Sequence, residues 1–567
     1  MTNDNRNFIT FAILAVLILL GSQFVTHWFF PANPPVTKIE GGKTKVQPNT
    51  TAPAPTTAAT LQNLTTVLQQ SAGQRVPIQT PTLKGSINLK GARIDDLVLS
   101  KYDETIARNS PPIRLLSPAG AADAYFASFG WDGIGGAVPN DNTVWTAQGS
   151  VLAPGKPITL TTANAQGQRF AIELSVDDQY MFTVKQTVAN AGGAPVEVAT
   201  KSMVMRADKS KDPDSWTIQV GPMWMHNGGA DYSINWSDVD KGTPAVTTTG
   251  GWEGFTDKYW LTALIPDQRV PFTGSYTSSG GKDYTATVVG NRTTLPAGKE
   301  FSETSRFFAG AKEVRVLNHY EDQAKVPLFG RAIDWGWFEV IEKPIFTYLD
   351  WLFHMVGNFG VAIMLLTLTI RALIFPIAQR QFASMAAMRA IQPKMKALQE
   401  RYKDDKQRQQ TEIMKLYKEE KVNPLAGCLP TLIQIPIMYS LYKVLMLTIE
   451  MRHQPFVAWI KDLSAPDPLT PLNLFGLLNF TPPHFIAIGV VPVLLGISMW
   501  LQFRMNPAPM DEAQKQIFAF MPWVLMFVMA PFAVGLQVYW ITSNLLTVLQ
   551  QKVLYARHPE LMKPVKK

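Results

Sequence analysis

Long apolar runs are the feature that most constrains how this chain can fold. A helix needs ~20 apolar residues to cross the ~30 Å hydrocarbon core of a bilayer, and several runs approach that length. The last of them, residues 517–551, is divided by Pro531 and Gly535. The sequence therefore predicts six membrane spans, at residues 1–30, 356–376, 428–449, 483–503, 517–533 and 535–554.

Composition supports a membrane protein with an N-terminal anchor. Of the 567 residues 46% are hydrophobic and only 17% are charged, against a usual ~25%. The first apolar run follows Arg6 and ends at Pro31 without a small-x-small cleavage site, so we interpret it as a retained signal-anchor. The single cysteine, Cys428, excludes a disulfide framework within the chain.

The distribution of lysine and arginine predicts the orientation of the spans. Residues 377–427 carry 11 Lys/Arg against 6 Asp/Glu, and residues 552–567 carry 5 against 1, whereas residues 450–482 carry 2 against 3. By the positive-inside rule the first two segments are cytoplasmic and the third is not. Both termini are then cytoplasmic, and the net charge of +8 favours anionic lipid or RNA-rich partners and is not evidence of DNA binding.

The large outer region is predicted to be a tether followed by a β domain. Residues 31–82 are rich in Pro, Thr, Ala and Gln, a composition that cannot bury a core. Residues 83–318 contain short period-two runs such as MFTVKQTV, SWTIQV and DYTATVV between glycine turns, a pattern typical of an all-β sandwich or barrel. Their many tryptophans are interpreted as core, with stacking on sugars or peptides as the alternative.

Two further segments lie beside the spans. Residues 329–355 mix acids with many aromatic residues, including Trp335, Trp337 and Trp351, which predicts an amphipathic helix in the outer interface. Within 377–427, two strong helix-forming stretches flank the turn KDDK and predict a cytoplasmic helical hairpin. Its apolar stripes either pack on each other or form a groove for a partner. Residues 555–567 form a basic tail.

Signatures of catalysis are missing from the sequence. There is no HExxH or GxSxG, and GGKT at residues 41–44 lacks the first glycine of a phosphate loop. We therefore expect no enzyme activity, cofactor, metal or nucleotide site.

Arg371 is the residue that most needs an explanation. It lies inside the apolar run LLTLTIRALIFP, where an arginine at mid-membrane costs roughly 2.5 to 3.5 kcal/mol. It lies five residues before Pro376, so it either reaches the cytoplasmic interface by snorkelling or serves a polar cavity. Other polar residues in the spans favour the cavity, with helix packing as their alternative role: Thr367, Gln434, Gln537, Trp540, Asn544, Thr547 and Gln551.

The stretch LTLTIRALIFPIAQRQFASMAAMRAIQPKMKALQERY, with FMPWVLMFVMAPFAVGLQVYWITSNLLTVLQQ further on, resembles the YidC-type membrane protein insertases, relatives of the mitochondrial Oxa and chloroplast Alb proteins. The resemblance is densest over residues 329–555. It implies a periplasmic β-supersandwich, a five-helix membrane core and a hydrophilic groove bearing the family's arginine at Arg371. Trp540 is a departure from the family, because the resemblance implies a tyrosine at this position of the groove.

The resemblance also implies partners and a mechanism. The partners are nascent membrane proteins, the Sec translocon with its accessory subunits, ribosomes or targeting factors, and membrane lipids. A groove open to the cytoplasm and lined by Arg371, Thr367, Gln434, Gln537, Trp540 and Asn544 would shorten the dry path of a polar tail, and Met438, Met526 and Phe527 would contact the apolar span. The alternatives are a transporter or channel that binds a small anion at Arg371, and an anchored enzyme that acts on carbohydrates.

Overall fold

The computed structural model describes residues 37–40, 43–46, 63–134, 138–212, 218–403, 405–420, 429–475, 478, 488–505 and 512–557. The predicted first span lies outside them. Strands β1 (Thr37–Glu40) and β2 (Lys43–Val46) form an antiparallel pair within the predicted tether. The chain divides into two compact units: a β unit of Thr50–Asp334 with Leu447–Glu450, and a helical unit of Met1–Asn49, Trp335–Met446 and Met451–Lys567.

The β unit is built from two large antiparallel sheets. The first has nine strands in the order β14-β13-β16-β17-β21-β11-β10-β9-β8, and the second has ten, in the order β15-β18-β19-β12-β7-β5-β4-β3 with β20 on β12 and β6 on β5. The strands are β3 Arg75–Gln79, β4 Leu83–Asn88, β5 Arg93–Asp103, β6 Pro112–Leu116, β7 Tyr125–Ile134, β8 Thr146–Gln148, β9 Ile158–Ala163, β10 Gln168–Val176, β11 Met181–Asn190, β12 Val196–Arg206, β13 Gly221–His226, β14 Gly229–Asp231, β15 Val246–Thr249, β16 Trp252–Thr256, β17 Trp260–Ile265, β18 Pro271–Ser279, β19 Lys282–Gly290, β20 Thr293–Leu295 and β21 Glu300–Ala311. Three helices accompany them: α1 Leu64–Gln70, α2 Trp236–Lys241 and α3 Val314–Asp322.

Alternating residues form the sandwich core. In β10 every second side chain of QRFAIELSV is buried, because successive side chains of a strand point to opposite faces. Aromatic rings meet across the two sheets: Tyr125 lies 6.5 Å from Phe255 and Phe129 lies 5.8 Å from Phe307, ring centre to ring centre. The predicted all-β sandwich is confirmed.

The tryptophans of this unit belong mostly to its core. Five of the predicted core tryptophans are at most 7% exposed: Trp131, Trp145, Trp224, Trp236 and Trp252. Trp260 is half-buried, and Trp216 lies outside the described residues. The interpretation as core packing therefore holds for these five.

Two predicted boundaries differ from the structure. The two large sheets of the β unit begin at Arg75 and not at the predicted residue 83, because β3 pairs with β4 and extends the second sheet. Residues 329–355 do not form one helix. Phe329–Ala332 is a short 3-10 turn with buried Phe329 and Ala332, and the long helix α4 begins only at Glu339 and ends at Val356. The first residues of the segment are therefore buried in the β unit and do not belong to the predicted interfacial helix.

The helical unit contains eight described α-helices: α4 Glu339–Val356, α5 Phe359–Ala390, α6 Gln392–Arg401, α7 Lys406–Glu419, α8 Leu429–Leu447, α9 Val490–Met505, α10 Glu512–Met529 and α11 Val534–Arg557. Among the described residues, the segment Phe359–Gln379 is long and apolar enough to cross a membrane, and Val490–Met505 and Ala519–Met529 are shorter apolar helices.

Helix α5 does not end at the predicted boundary of 376. It continues through Pro376 to Ala390. A proline inside a helix removes one backbone hydrogen bond, but the alanine- and methionine-rich residues that follow are strong helix formers and carry the helix onward. The break comes instead at Ile391, directly before α6, whose second residue is Pro393.

The predicted hairpin is formed by α6 and α7. The Tyr417 hydroxyl contacts the Met395 sulfur at 3.1 Å, and Lys394 forms an ion pair with Glu420. Asp405 caps α7 by accepting the backbone N–H of Arg408 at 2.9 Å. The two helices thus pack on each other, as the first of the two alternatives predicted.

Candidate functional site

Arg371 lies on α5 and is half-buried. Its guanidinium donates from Nε to the Ser543 hydroxyl of α11 at 3.1 Å, and Nη2 donates to the same oxygen. Its backbone carbonyl accepts from Gln550 Nε2 at 3.4 Å. Within the described part of the chain, no carboxylate forms an ion pair with this arginine. Its charge is therefore met by a neutral hydroxyl.

A second polar contact joins α8 to α11. Gln434 donates from Nε2 to the Tyr539 hydroxyl at 2.6 Å, and the Tyr539 side chain is buried. Tyr539 and Ser543 are four residues apart and so lie on one face of α11. We call Arg371, Ser543, Gln434 and Tyr539 the polar cluster. It links α5, α8 and α11.

Gln537 and Asn544 lie on a different face of α11. They are about 20° apart around the helix, whereas Ser543 and Asn544 are about 100° apart. Gln537 donates to the carbonyls of Met529, the last residue of α10, at 3.0 Å and of Phe532, in the turn before α11, at 2.9 Å. Asn544 donates to the Ser498 hydroxyl of α9 at 2.9 Å. In this structure both amides thus form hydrogen bonds to neighbouring parts of the helical unit, contacts of the kind that the helix-packing alternative describes.

The remaining predicted residues are divided between burial and partial exposure. Thr367 is buried and donates to the Ile363 carbonyl of its own helix at 2.6 Å. Met526 is 9% exposed and packs against Gly496 of α9. A Cβ atom added to Gly496 would lie only 3.3 Å from the Cβ of Met526. Trp540, Met438 and Phe527 are half-buried.

Sequence reasoning missed Tyr539 and Ser543. The seven-residue spacing of the amides drew attention to one face of α11, although Tyr539 and Ser543 stand at the four-residue spacing that marks another. Tyr539 directly precedes Trp540, and its hydroxyl accepts the hydrogen bond from Gln434.

A connecting segment closes one end of the helical unit. The backbone N–H groups of Val534 and Gly535, at the start of α11, donate to the carbonyls of Ala465 and Leu463 at 2.9 Å each. Leu463 itself is fully buried. The first turn of α11 is therefore covered by the segment between α8 and α9.

The same segment reaches the starts of α9 and α5. Asp467 accepts the Val491 N–H at 2.7 Å, so its carboxylate lies at the positive end of the α9 dipole. Asn358, just before α5, donates to the Phe456 carbonyl at 3.0 Å. The segment between α8 and α9 thus contacts the starts of α5, α9 and α11.

Two family models match the chain. The model described as "60Kd inner membrane protein" matches residues 351–561, and the one described as "YidC periplasmic domain" matches residues 75–348. The chain is 50% identical to the "Membrane protein insertase YidC" of Zymomonas mobilis over 562 residues, which is 98% of this chain and 96% of that protein. The chain belongs to the YidC family of membrane protein insertases.

A second relative supports the same family, and one solved structure is similar to most of the chain. The insertase of Methylorubrum extorquens is 44% identical over 601 residues, covering 98% of this chain and 96% of that protein. A crystal structure titled as an active YidC insertase with its first transmembrane domain resolved covers 84% of this chain and 92% of its own at 17% identity, with a TM-score of 0.36. The two family models and these two relatives confirm the sequence resemblance, and the family is that of an inner membrane protein with a periplasmic domain.

Proposed function

We propose that this protein inserts nascent membrane proteins into the inner membrane through a hydrophilic groove, open to the cytoplasm, that contains the polar cluster. The observation that carries this proposal is Arg371, half-buried in an apolar helix with only a neutral hydroxyl as its side-chain partner in the described part of the chain. Burying a charge without a counter-charge costs free energy. A fold retains such a residue where function uses it.

The proposed topology has six spans with both termini in the cytoplasm. The described helices α5, α8, α9, α10 and α11 would form the five-helix core, and the anchor before residue 31 would be the sixth span. This assignment follows the lysine and arginine distribution, which puts the α6–α7 hairpin and the C-terminal tail on the cytoplasmic side. The segment that covers the starts of α5, α9 and α11 would then close the groove on the periplasmic side.

The mechanism follows from the cost of moving a polar tail across a bilayer. The tail cannot cross ~30 Å of hydrocarbon unaided, and a groove wetted from one side shortens the dry path. Arg371 attracts acidic residues of the entering tail, while half-buried Met438 and Phe527 contact the apolar segment. Transfer of that segment into lipid supplies the driving force, so the reaction needs no cofactor and is not enzymatic.

The proposed partners follow from charge and position. Ribosomes or targeting factors would contact the basic hairpin and tail, and the insertase would work alone or beside the Sec translocon and its accessory subunits. Trp337, in the 3-10 turn just before α4, and Val340, in the first turn of α4, are 99% and 85% exposed, which suits an outer interface filled by membrane lipids. No DNA partner is expected.

The test uses two substrates that differ only in the charge of the translocated tail. Arg371→Ala should lower insertion of the acidic-tail substrate about tenfold or more, as expected for losing a contact worth ~1.5 to 3 kcal/mol with a charged group, and should leave the neutral-tail substrate nearly unchanged. Arg504→Ala is the matched control, since Arg504 is an exposed arginine whose guanidinium lies 5.2 Å from the Trp500 ring centre on α9. Equal loss for both tails at matched protein levels would reject the electrostatic role.

A further inference from the structure

Ser543 is the side chain that contacts the guanidinium of Arg371. It lies in the middle of α11, is 2% exposed, and accepts hydrogen bonds from both Nε and Nη2. A serine hydroxyl oxygen has two lone pairs, so it can accept both donors at once. One edge of the planar guanidinium is therefore occupied by a single neutral oxygen.

The other edge of the guanidinium is defined by Nη1 and Nη2. Arginine presents five donors in a rigid plane, and either edge can bind a carboxylate through two parallel hydrogen bonds. With the Nε side fixed on Ser543, rotation of the guanidinium is restricted, and the Nη1 side keeps one orientation. Nη1 makes no hydrogen bond to any residue in the described ranges.

A hydroxyl and a carboxylate at position 543 would affect the charge of the Arg371 guanidinium differently. A carboxylate in place of the hydroxyl would bind the guanidinium more strongly, but it would also cancel the positive charge that an acidic substrate tail needs. A hydroxyl orients the guanidinium and leaves its charge intact. Serine therefore combines two properties that neither alanine nor aspartate has.

We propose that Ser543 is a positioning residue for substrate recognition: it holds the Nε and Nη2 side of Arg371, so that the Nη1 and Nη2 edge binds a carboxylate of the substrate's acidic tail in a bidentate pair. This inference rests on the proposed function. An ammonium is a point charge without an edge, so Arg371→Lys retains the attraction and loses the bidentate geometry.

The neighbouring contacts allow a clean variant. Gln550 of α11 binds the backbone carbonyl of Arg371 independently of Ser543, so loss of the serine hydroxyl leaves this link between α5 and α11 in place. Thr542 is the matched control, because it is adjacent in sequence and its hydroxyl donates to the Val538 carbonyl of its own helix at 2.7 Å. Ser543→Thr keeps the hydroxyl and tests rescue.

The experiment measures insertion of the acidic-tail and neutral-tail substrates by the full chain in five variants: Ser543→Ala, Arg371→Lys, the double variant, Ser543→Thr and Thr542→Ala. Ser543→Ala should lower acidic-tail insertion about five- to tenfold, less than Arg371→Ala does because the positive charge remains, with little change for the neutral tail. Ser543→Thr should recover most of the loss, and Thr542→Ala should behave as the parent. In the Arg371→Lys background, Ser543→Ala should have no further effect.

Several outcomes would overturn the inference. If Ser543→Ala lowers insertion by the same factor in the arginine and lysine backgrounds, the serine acts without the guanidinium. Equal loss for both tails would assign Ser543 to helix packing. Unchanged acidic-tail insertion in Ser543→Ala, with a selective loss in Arg371→Ala, would reject this inference alone. A failure of Arg371→Ala to distinguish the tails would instead reject the proposed function.

Discussion

Arg206 in the β unit and Arg371 in the helical unit are both partly buried arginines, yet they meet different partners. Arg206 donates to both carboxylate oxygens of Asp257 at 3.1 and 3.3 Å, and its guanidinium lies 4.7 Å from the Tyr125 ring centre. Arg371 meets a serine hydroxyl. The charge of Arg206 is therefore neutralised by a carboxylate of its own unit, whereas that of Arg371 has no carboxylate partner among the described residues.

This difference separates the roles of the two units. A buried charge that is paired and hydrogen-bonded belongs to the structure, and removal of one partner leaves the other uncompensated. A buried charge without a carboxylate partner adds little to stability, so its presence needs a functional reason. We therefore expect substitutions of the two arginine sites to affect different observables: stability in the β unit and substrate selectivity in the helical unit.

The largest effect is expected at Asp257. Asp257→Ala should destabilise the β unit by about 3 to 5 kcal/mol, because it leaves the Arg206 guanidinium buried without its counter-charge. Thermal unfolding of the full chain in detergent, followed by tryptophan fluorescence, would measure it, since most of the buried tryptophans are in this unit.

Asp267→Ala provides the control for that measurement. Asp267 pairs with Arg269, whose side chain is 87% exposed, and an exposed ion pair contributes about 0 to 1 kcal/mol. If Asp257→Ala shifted the unfolding temperature no more than Asp267→Ala does, burial would not distinguish the two pairs and the comparison between the units would lose its basis.

The β unit could largely be predicted from sequence, because its signal is local. Period-two alternation in runs such as MFTVKQTV, within β11, directly reports which face of a strand is buried. The residue at which the β unit begins could not be predicted in this way. Strand β3 has only five residues and is held in the sheet by pairing with β4 across a turn. The order of nineteen strands in two sheets depends on long-range pairing, which periodicity does not encode.

The candidate site could be predicted only in part. Arg371 stood out because a charge in an apolar run is costly wherever it lies. Its partner Ser543 did not, because serine is common in membrane helices and only the packing of α5 against α11 gives it a role. The amides of α11 were assigned to the groove together, although a helix that touches several neighbours carries more than one polar face, and Asn544 faces α9.

The next effect concerns the stability of the helical unit. Arg371→Leu should leave its thermal stability unchanged or raise it by about 1 kcal/mol, because it replaces a half-buried charge with an apolar side chain in an apolar helix. Circular dichroism of the helices on heating in detergent would measure this, alongside the expected loss of acidic-tail insertion. Arg504→Leu, at an exposed arginine, is the control, and a clear destabilisation by Arg371→Leu alone would mean that Arg371 is structural like Arg206.

A buried acid in the β unit provides a further contrast. Glu253 lies in β16, is 2% exposed, and burial raises its pKa well above the usual value, although backbone N–H groups of Ser275 and Thr287 act in the opposite direction. The folded protein therefore binds a proton that the unfolded chain releases above about pH 4.5. This contribution to stability is complete at lower pH and is lost as the pH rises towards the pKa of the folded state.

Glu253→Gln should remove this pH dependence. The amide mimics the protonated acid, so the variant should be more stable than the parent at pH 8 and about equally stable at pH 4.5. Unfolding temperatures at the two pH values would test it, with exposed Glu300→Gln in β21 as the control. A gain of the same size at both pH values would show that ionisation of Glu253 is not the cause.

The smallest effect on substrate insertion is expected at the neutral contact of the polar cluster, between Gln434 and Tyr539. Tyr539→Phe removes one hydrogen bond of 2.6 Å while keeping the buried ring, and a neutral hydrogen bond contributes only about 1 kcal/mol. Because neither partner carries a charge, insertion of acidic-tail and neutral-tail substrates should fall together, by about fivefold at most. Gln434→Leu should give the same loss, and combining the two variants should add little, because both remove the same bond. A loss confined to acidic tails would instead extend the electrostatic role of Arg371 to Tyr539, and would place the recognition of charge in the whole cluster.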